Sequence, residues 1–121
     1  GRFICRVRSK EVIVINDFEK LKSIAEKAGY TTTYDAWSGT HINHTRKVIT
    51  AGVHFTDDEI AMYAHEIGHL YGHRIIGKYC RALSECGAWV IGFIVCQLAG
   101  VRIKSYWQMA KKCLKTYIEK L

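Results

Sequence analysis

Apolar and polar positions divide the chain into strand-like and helix-like stretches in a definite order. From Phe3 to Ile15, apolar and basic residues alternate in RFICRVR and β-branched residues cluster in EVIVI, which predicts one or two short strands. Asn16 and Glu19 then have the spacing of a capping box, and Phe18, Leu21, Ile24, Ala25 and Ala28 recur at helical intervals up to Gly29. A helix is expected there, stopped by the glycine. YTTTYDAW (30–37) and RKVITAGVHF (46–55) have strand composition, with Ser38-Gly39 and the polar THINHT between them. They are expected to pair as a hairpin with a long connection.

The second half reads as three helices. Thr56-Asp57-Asp58-Glu59 is another capping box, flanked by Phe55 and Ile60 as a hydrophobic staple, so a helix should begin at about Asp57. On it Ile60, Ala64, Ile67 and Tyr71 form the core face, while Asp58, Met62, His65, His69 and His73 lie on a different stripe. A helix from about Lys78 to Ala99 is apolar nearly all round from Cys86 onward, which marks it as the central, covered element, ended by Gly100. Ser105 and Gln108 suggest a cap for a last helix, with Tyr106, Ala110, Cys113, Leu114, Tyr117 and Leu121 facing inward. Trp37, Trp89 and Trp107 are expected in the core or lining a groove rather than as a base-stacking platform. The fold class is therefore α+β, and 121 residues suit one domain, 1–121.

Charge and cysteines narrow the setting. Eighteen Lys and Arg against eleven Asp and Glu leave +7, a field that favours nucleic acid, acidic proteins or anionic surfaces, or else a soluble basic surface with no specific partner, since the charges form no compact run. Five cysteines form an odd number without a C-x-x-C pair, and three lie in apolar helical pattern, which points to reduced thiols and a cytoplasmic protein. The longest apolar stretch, from Cys86 to Val101, is interrupted by Gln97 and falls short of the roughly 20 residues that span a bilayer. A buried helix and no membrane partner are expected. The first residue is Gly1 rather than Met, which leaves room for the chain to be part of a larger polypeptide.

The chemistry concentrates in AHEIGHLYGH (64–73). His65 and His69, four residues apart, lie one above the other on a helix and can direct two imidazoles at one zinc ion. Glu66 is rotated about 100° from His65, beside the metal rather than on it, where a carboxylate can take a proton from an activated water. A third ligand is needed, and Glu85, His73, His41, His44, His54 and the cysteines are candidates. Glu85 stands out as the one acidic residue between Glu66 and Glu119, at the start of a helix that soon becomes apolar. A buried carboxylate there is costly unless it meets a cation. His73 is about 12 Å along the axis from His65, too far for all three histidines to share one metal. His41 and His44 read as solvated loop residues, and His54 as a strand-end residue near the site. Gly68 costs helix stability and would permit close approach of a neighbouring element.

The run AHEIGHLYGH followed by SECGAWVIGFIVCQLAGV resembles the small zincin metallopeptidase domains of the ImmA/IrrE type and the metallopeptidase domain of ArdC-like antirestriction proteins. The resemblance covers about residues 46 to 101. It implies zinc held by His65, His69 and Glu85, with Glu66 as general base, in a minimal zincin-like fold. That fold has an N-terminal helix, a small twisted sheet whose edge strand aligns an extended peptide, the H-E-x-x-H helix and the third-ligand helix. It also implies a setting in mobile elements or host conflict. The helix-turn-helix or single-stranded-DNA-binding domain often fused to such zincins is missing from this chain.

The expected activity is thus that of a zinc-dependent endopeptidase acting on a protein or peptide through a zinc-activated water. Tyr63, Tyr71, Tyr79, Tyr106 and His73 are candidates for transition-state or substrate contacts. The rival is a non-catalytic zincin-like module that binds nucleic acid or an acidic protein, or a toxin module of a larger protein.

Overall fold

A computed structural model of the chain describes residues 9–37, 39–52, 56–75 and 81–119. They form α1 (Ser9–Lys27), β1 (Thr31–Tyr34), β2 (His41–Asn43), β3 (Val48–Ala51), α2 (Asp57–Ile75), α3 (Arg81–Ala99) and α4 (Tyr106–Ile118). The class is α+β, four helices with a small mixed sheet.

Helix α1 corrects two expectations. It runs continuously through the EVIVI segment and through Asn16, so residues 9 to 15 form no strand and Asn16 caps nothing. The apolar repeat of Phe18, Leu21 and Ala25, all buried, anchors a helix here. Once that nucleus exists, extending it backward costs only propagation, and the modest β preference of Val and Ile is overridden. The strand expected over residues 3 to 8 lies outside the described residues. Gly29 does stop the helix: its φ of 91° opens a Schellman end in which the N–H of Tyr30 bonds the Ala25 carbonyl at 3.0 Å. Gly100, at φ 73°, ends α3 in the same way, with the N–H of Val101 on the Cys96 carbonyl at 2.8 Å.

The sheet has the order β1-β3-β2. β1 and β3 are parallel, in register Thr31↔Val48 to Tyr34↔Ala51, so they do not form the expected hairpin. The reason lies in THINHT, whose His41–Asn43 portion is itself a strand, antiparallel to β3. The tight turn after Asn43, where the Asn43 side chain accepts the Arg46 N–H at 3.0 Å and Lys47 takes φ 56°, makes β2 and β3 the hairpin. β3 is therefore central, and Ile49 and Ala51 on it are buried.

Helix α2 begins where its cap predicts. Thr56 Oγ1 accepts the Glu59 N–H at 3.2 Å, and Asp57, Asp58 and Glu59 complement the positive end of the helix. α2, rather than α3, is the central element: Ile60, Ala61, Tyr63, Ala64, Ile67 and Leu70 are buried around most of its circumference, and it packs against every other helix and against β2 and β3. α3 buries Ala88, Trp89, Gly92, Val95 and Cys96 but leaves Leu83, Val90, Ile94 and Leu98 exposed. In α4, Tyr106 and Ala110 are buried and Cys113, Leu114 and Tyr117 partly so. Leu121 lies outside the described residues. Ser105 occupies the N-cap of α4, but its hydroxyl donates to Asp58 Oδ1 at 3.1 Å and makes no cap bond, so no capping box with Gln108 forms. Of the tryptophans only Trp89 is in the core; Trp37 is 97% exposed on a turn and Trp107 is half exposed.

α2 and α3 cross at van der Waals contact through small residues four apart on each helix, Ala64 and Gly68 against Ala88 and Gly92. A Cβ built on Gly68 would lie 1.8 Å from the Ala88 carbonyl oxygen, and one on Gly92 would lie 2.6 Å from the Ala64 carbonyl oxygen. Backbone occupies the space a side chain would need. Gly72, one turn on, would meet only the tip of Ile91 at 3.4 Å. Gly68→Ala is accordingly expected to lower unfolding stability by at least about 2 kcal/mol despite its better helix propensity, measured by urea denaturation. Gly72→Ala should leave it unchanged or raise it by up to about 1 kcal/mol.

Candidate metal centre

The α2–α3 crossing brings three side chains to one point. His65 Nε2 and His69 Nε2 each lie 2.9 Å from Glu85 Oε2, and 3.1 Å from one another. Among the described residues this is the group of histidine, cysteine and acidic side chains whose donor atoms converge closely enough to hold a metal ion. Two imidazoles and an ionised carboxylate are a donor set that suits zinc. In a tetrahedral zinc site neighbouring ligand atoms are about 3.3 Å apart, so the observed triangle needs to open by only a few tenths of an ångström. The residues fit a divalent metal.

Burial shapes the electrostatics. His65 is buried, with its ring stacked on Trp89 at 4.2 Å and 22°, and its Nδ1 has no hydrogen-bond partner among the described residues. Burial pulls the His65 pKa down, only partly offset by Glu85, so this ring is held neutral as a metal ligand must be. Burial also acts downward on His69, but the Glu85 carboxylate outweighs it and raises the pKa. For Glu85 itself burial acts upward, yet hydrogen bonds to His65 and His69 hold its carboxyl well below the usual range. Glu66, next to His65 and buried with it, is pushed up to about 7 by burial, with Glu85 adding to the rise and His69 opposing it. The middle of the histidine stripe, His65 and His69, expected off the apolar face, is thus covered because α3 lies across it, while His73 beyond it stays exposed.

The other residues expected near the site are dispersed. Tyr63 is fully buried on another side of α2, with its ring 4.7 Å from Phe18 and its hydroxyl 2.7 Å from Thr32 Oγ1, and burial pushes its pKa to about 12. It belongs to the core. Tyr71 is partly buried against the same core. The Tyr106 hydroxyl donates to the Trp89 carbonyl oxygen and so secures the residue that backs His65. His73 is exposed and outside the cluster, as its distance along the helix requires. Its ring stacks on His44 at 4.4 Å and 16°. His44, expected as a solvated loop residue, is partly buried instead, with Nδ1 3.0 Å from the hydroxyl of buried Tyr30. His41 is exposed, as expected. Cys86, Cys96 and Cys113 are free thiols that do not join the cluster. His54, Tyr79, Cys5 and Cys80 lie outside the described residues.

Trp89, expected in the core or lining a groove, and His44, weighed as a ligand and read as a solvated loop residue, both make ring contacts with the histidine stripe. Trp89 sits four residues after Glu85 and so shares its helix face, a spacing that could have identified it as the wall of the site. Nothing local marks His44, which reaches the α2 stripe only because β2 turns back onto β3. Protein-family models, curated proteins and solved structures all give no match to the chain.

Protein isolated without added metal or a histidine tag should carry about one zinc per chain by elemental analysis, and Glu85→Ala should lose most of it. In chelator-treated protein the raised pKa of Glu66 disfavours its ionised form in the fold. The stability present below the ordinary value of 4.5 is lost as pH rises through about 7. Glu66→Gln should therefore match the wild type at pH 4 and exceed it by up to about 3 kcal/mol at pH 8, as read by denaturant unfolding of the metal-free proteins.

Proposed function

We propose that the chain is a zinc-dependent endopeptidase of zincin-like design, with His65, His69 and Glu85 as the metal ligands and Glu66 as the general base. The observation that carries this reading is the convergence of the three donor atoms beside a buried carboxylate whose pKa lies near neutrality. A metal held there would supply a Lewis acid that acidifies a water and polarises a carbonyl.

The remaining chemistry falls to the chain's own groups. Glu66 accepts the proton of the attacking water and returns it to the leaving amine, and a pKa near 7 suits both directions of transfer. Trp89 covers one face of His65 and keeps solvent from it, while the bond from Tyr106 to its carbonyl oxygen holds that stretch of α3 in place. Among the described residues β2 lies at one edge of the sheet with no strand on its outer side, which could offer backbone groups to an extended peptide. His73, one turn beyond His69 and stacked on His44, is the remaining candidate of the stripe for donating to a substrate oxygen.

Zinc-loaded protein should release fluorescent peptides from labelled casein. Glu66→Gln should slow that release by about 10²- to 10⁴-fold while retaining its zinc. Zinc bound with no cleavage of casein or other unfolded proteins, together with salt-sensitive binding to DNA that Glu66→Gln leaves intact, would support the non-catalytic binding module instead.

A further inference from the structure

α3 is apolar on two opposite faces. One face packs on α2 and α4 and carries Glu85, Ala88, Trp89 and Gly92. At about 100° per residue, Leu83, Gly87, Val90, Ile94 and Leu98 all fall within an arc of roughly 80° on the opposite face. Leu83, Val90 and Ile94 are each half exposed and Leu98 is 83% exposed. No charged residue interrupts the helix from Cys86 to Val101. Trp107 extends this surface: Phe93 and Tyr106 hold its ring at 4.8 and 5.2 Å, and half of it faces solvent. A contiguous apolar ridge of this kind marks an interaction surface.

The charge distribution indicates what covers it. From Ile67 to Leu121 the chain has nine Lys and Arg against two carboxylates, Glu119 and Glu85, the latter turned into the metal centre. Nine minus two gives +7, the whole excess of the chain, because the remaining residues carry nine of each sign. Arg102 and Lys104 lie just beyond the C-terminal end of the ridge, and Lys111 and Lys115 share a side of α4 with Trp107, where Glu119 pairs with Lys115 at 3.8 Å; all are exposed.

We propose that this face docks on an anionic lipid bilayer, with α3 in the plane of the surface, the Leu83–Leu98 ridge at the headgroup–acyl boundary and the basic residues on lipid phosphates. An aliphatic ridge rimmed by cations, with a tryptophan at its margin, has the chemistry of an interfacial helix. Nucleic acid would find phosphate partners here but little to stack on or hydrogen-bond to along the ridge. A second copy would bring two such positive halves together. α3 is long and apolar enough to cross a membrane, yet a third of its apolar window is buried against the protein, which fits a helix lying on the bilayer. The ridge is opposite Glu85, so docking is independent of the metal centre and of the peptidase reading.

The test is sedimentation of the full chain with vesicles of phosphatidylcholine alone and with vesicles that also contain phosphatidylserine. Binding is expected to the second kind only and to weaken as salt is raised. Leu98→Glu, and separately Arg102→Glu with Lys104→Glu, should each reduce it by about tenfold or more with zinc content and circular dichroism unchanged. Absence of binding to both vesicles overturns the proposal, as does binding that Leu98→Glu does not weaken. A dimer in analytical ultracentrifugation that Leu98→Glu dissociates, without vesicle binding, would assign the ridge to a second copy.

Discussion

The structure depends on how closely α2 and α3 approach. Ala64 and Gly68 face Ala88 and Gly92, and at both glycines the partner backbone occupies the position of a Cβ. That contact brings the start of α3 alongside the middle of α2. Only then can one oxygen of Glu85 lie 2.9 Å from both His65 and His69. A methyl group inserted at the crossing would move Glu85 by more than a metal centre tolerates, so packing and chemistry share one constraint.

The same crossing explains the unusual electrostatics. Laying α3 over the histidine stripe removes His65, Glu66 and part of Glu85 from water, which costs stability unless the charges compensate one another. Compensation within the chain is uneven: Glu85 is satisfied by two imidazoles, whereas Glu66 is driven toward its neutral form and His65 Nδ1 has no partner among the described residues. Ionisable groups buried beside one another with part of their demand unmet lower the stability of the metal-free chain. A divalent cation is the kind of group that would meet the demand, which is why the metal reading follows from the energetics as well as from the spacing.

α3 serves two surfaces at once. Its inner face closes the candidate site through Glu85 and Trp89, while its outer face is an uncharged ridge on the half of the chain that carries all of the positive excess. Acidic residues concentrate at the start of α2, and α1, which borders the ridge at Leu98, carries as many lysines as carboxylates. The protein is therefore polarised in both charge and hydropathy, with the apolar ridge and the candidate site on opposite faces of one helix.

Local pattern determined much of this from the sequence alone. The start of α2 at Asp57, the glycine stops at Gly29 and Gly100, the inward face of α4 and the alignment of His65 with His69 all depend on residues within one or two turns, where spacing and caps act directly. Glu85 could be singled out because an isolated carboxylate in an apolar run requires a partner. Tertiary structure decided the rest. EVIVI became helix because a neighbouring amphipathic turn had already nucleated one, and β1 runs parallel to β3 because a three-residue strand in THINHT took the antiparallel position. Which apolar face of α3 is buried was not legible either, since periodicity gives an all-round apolar helix no preferred side. That choice required Gly68 and Ala88, far apart in the chain, to meet, and with it came the burial of His65, the stacking of Trp89 and the exposed ridge on the other side.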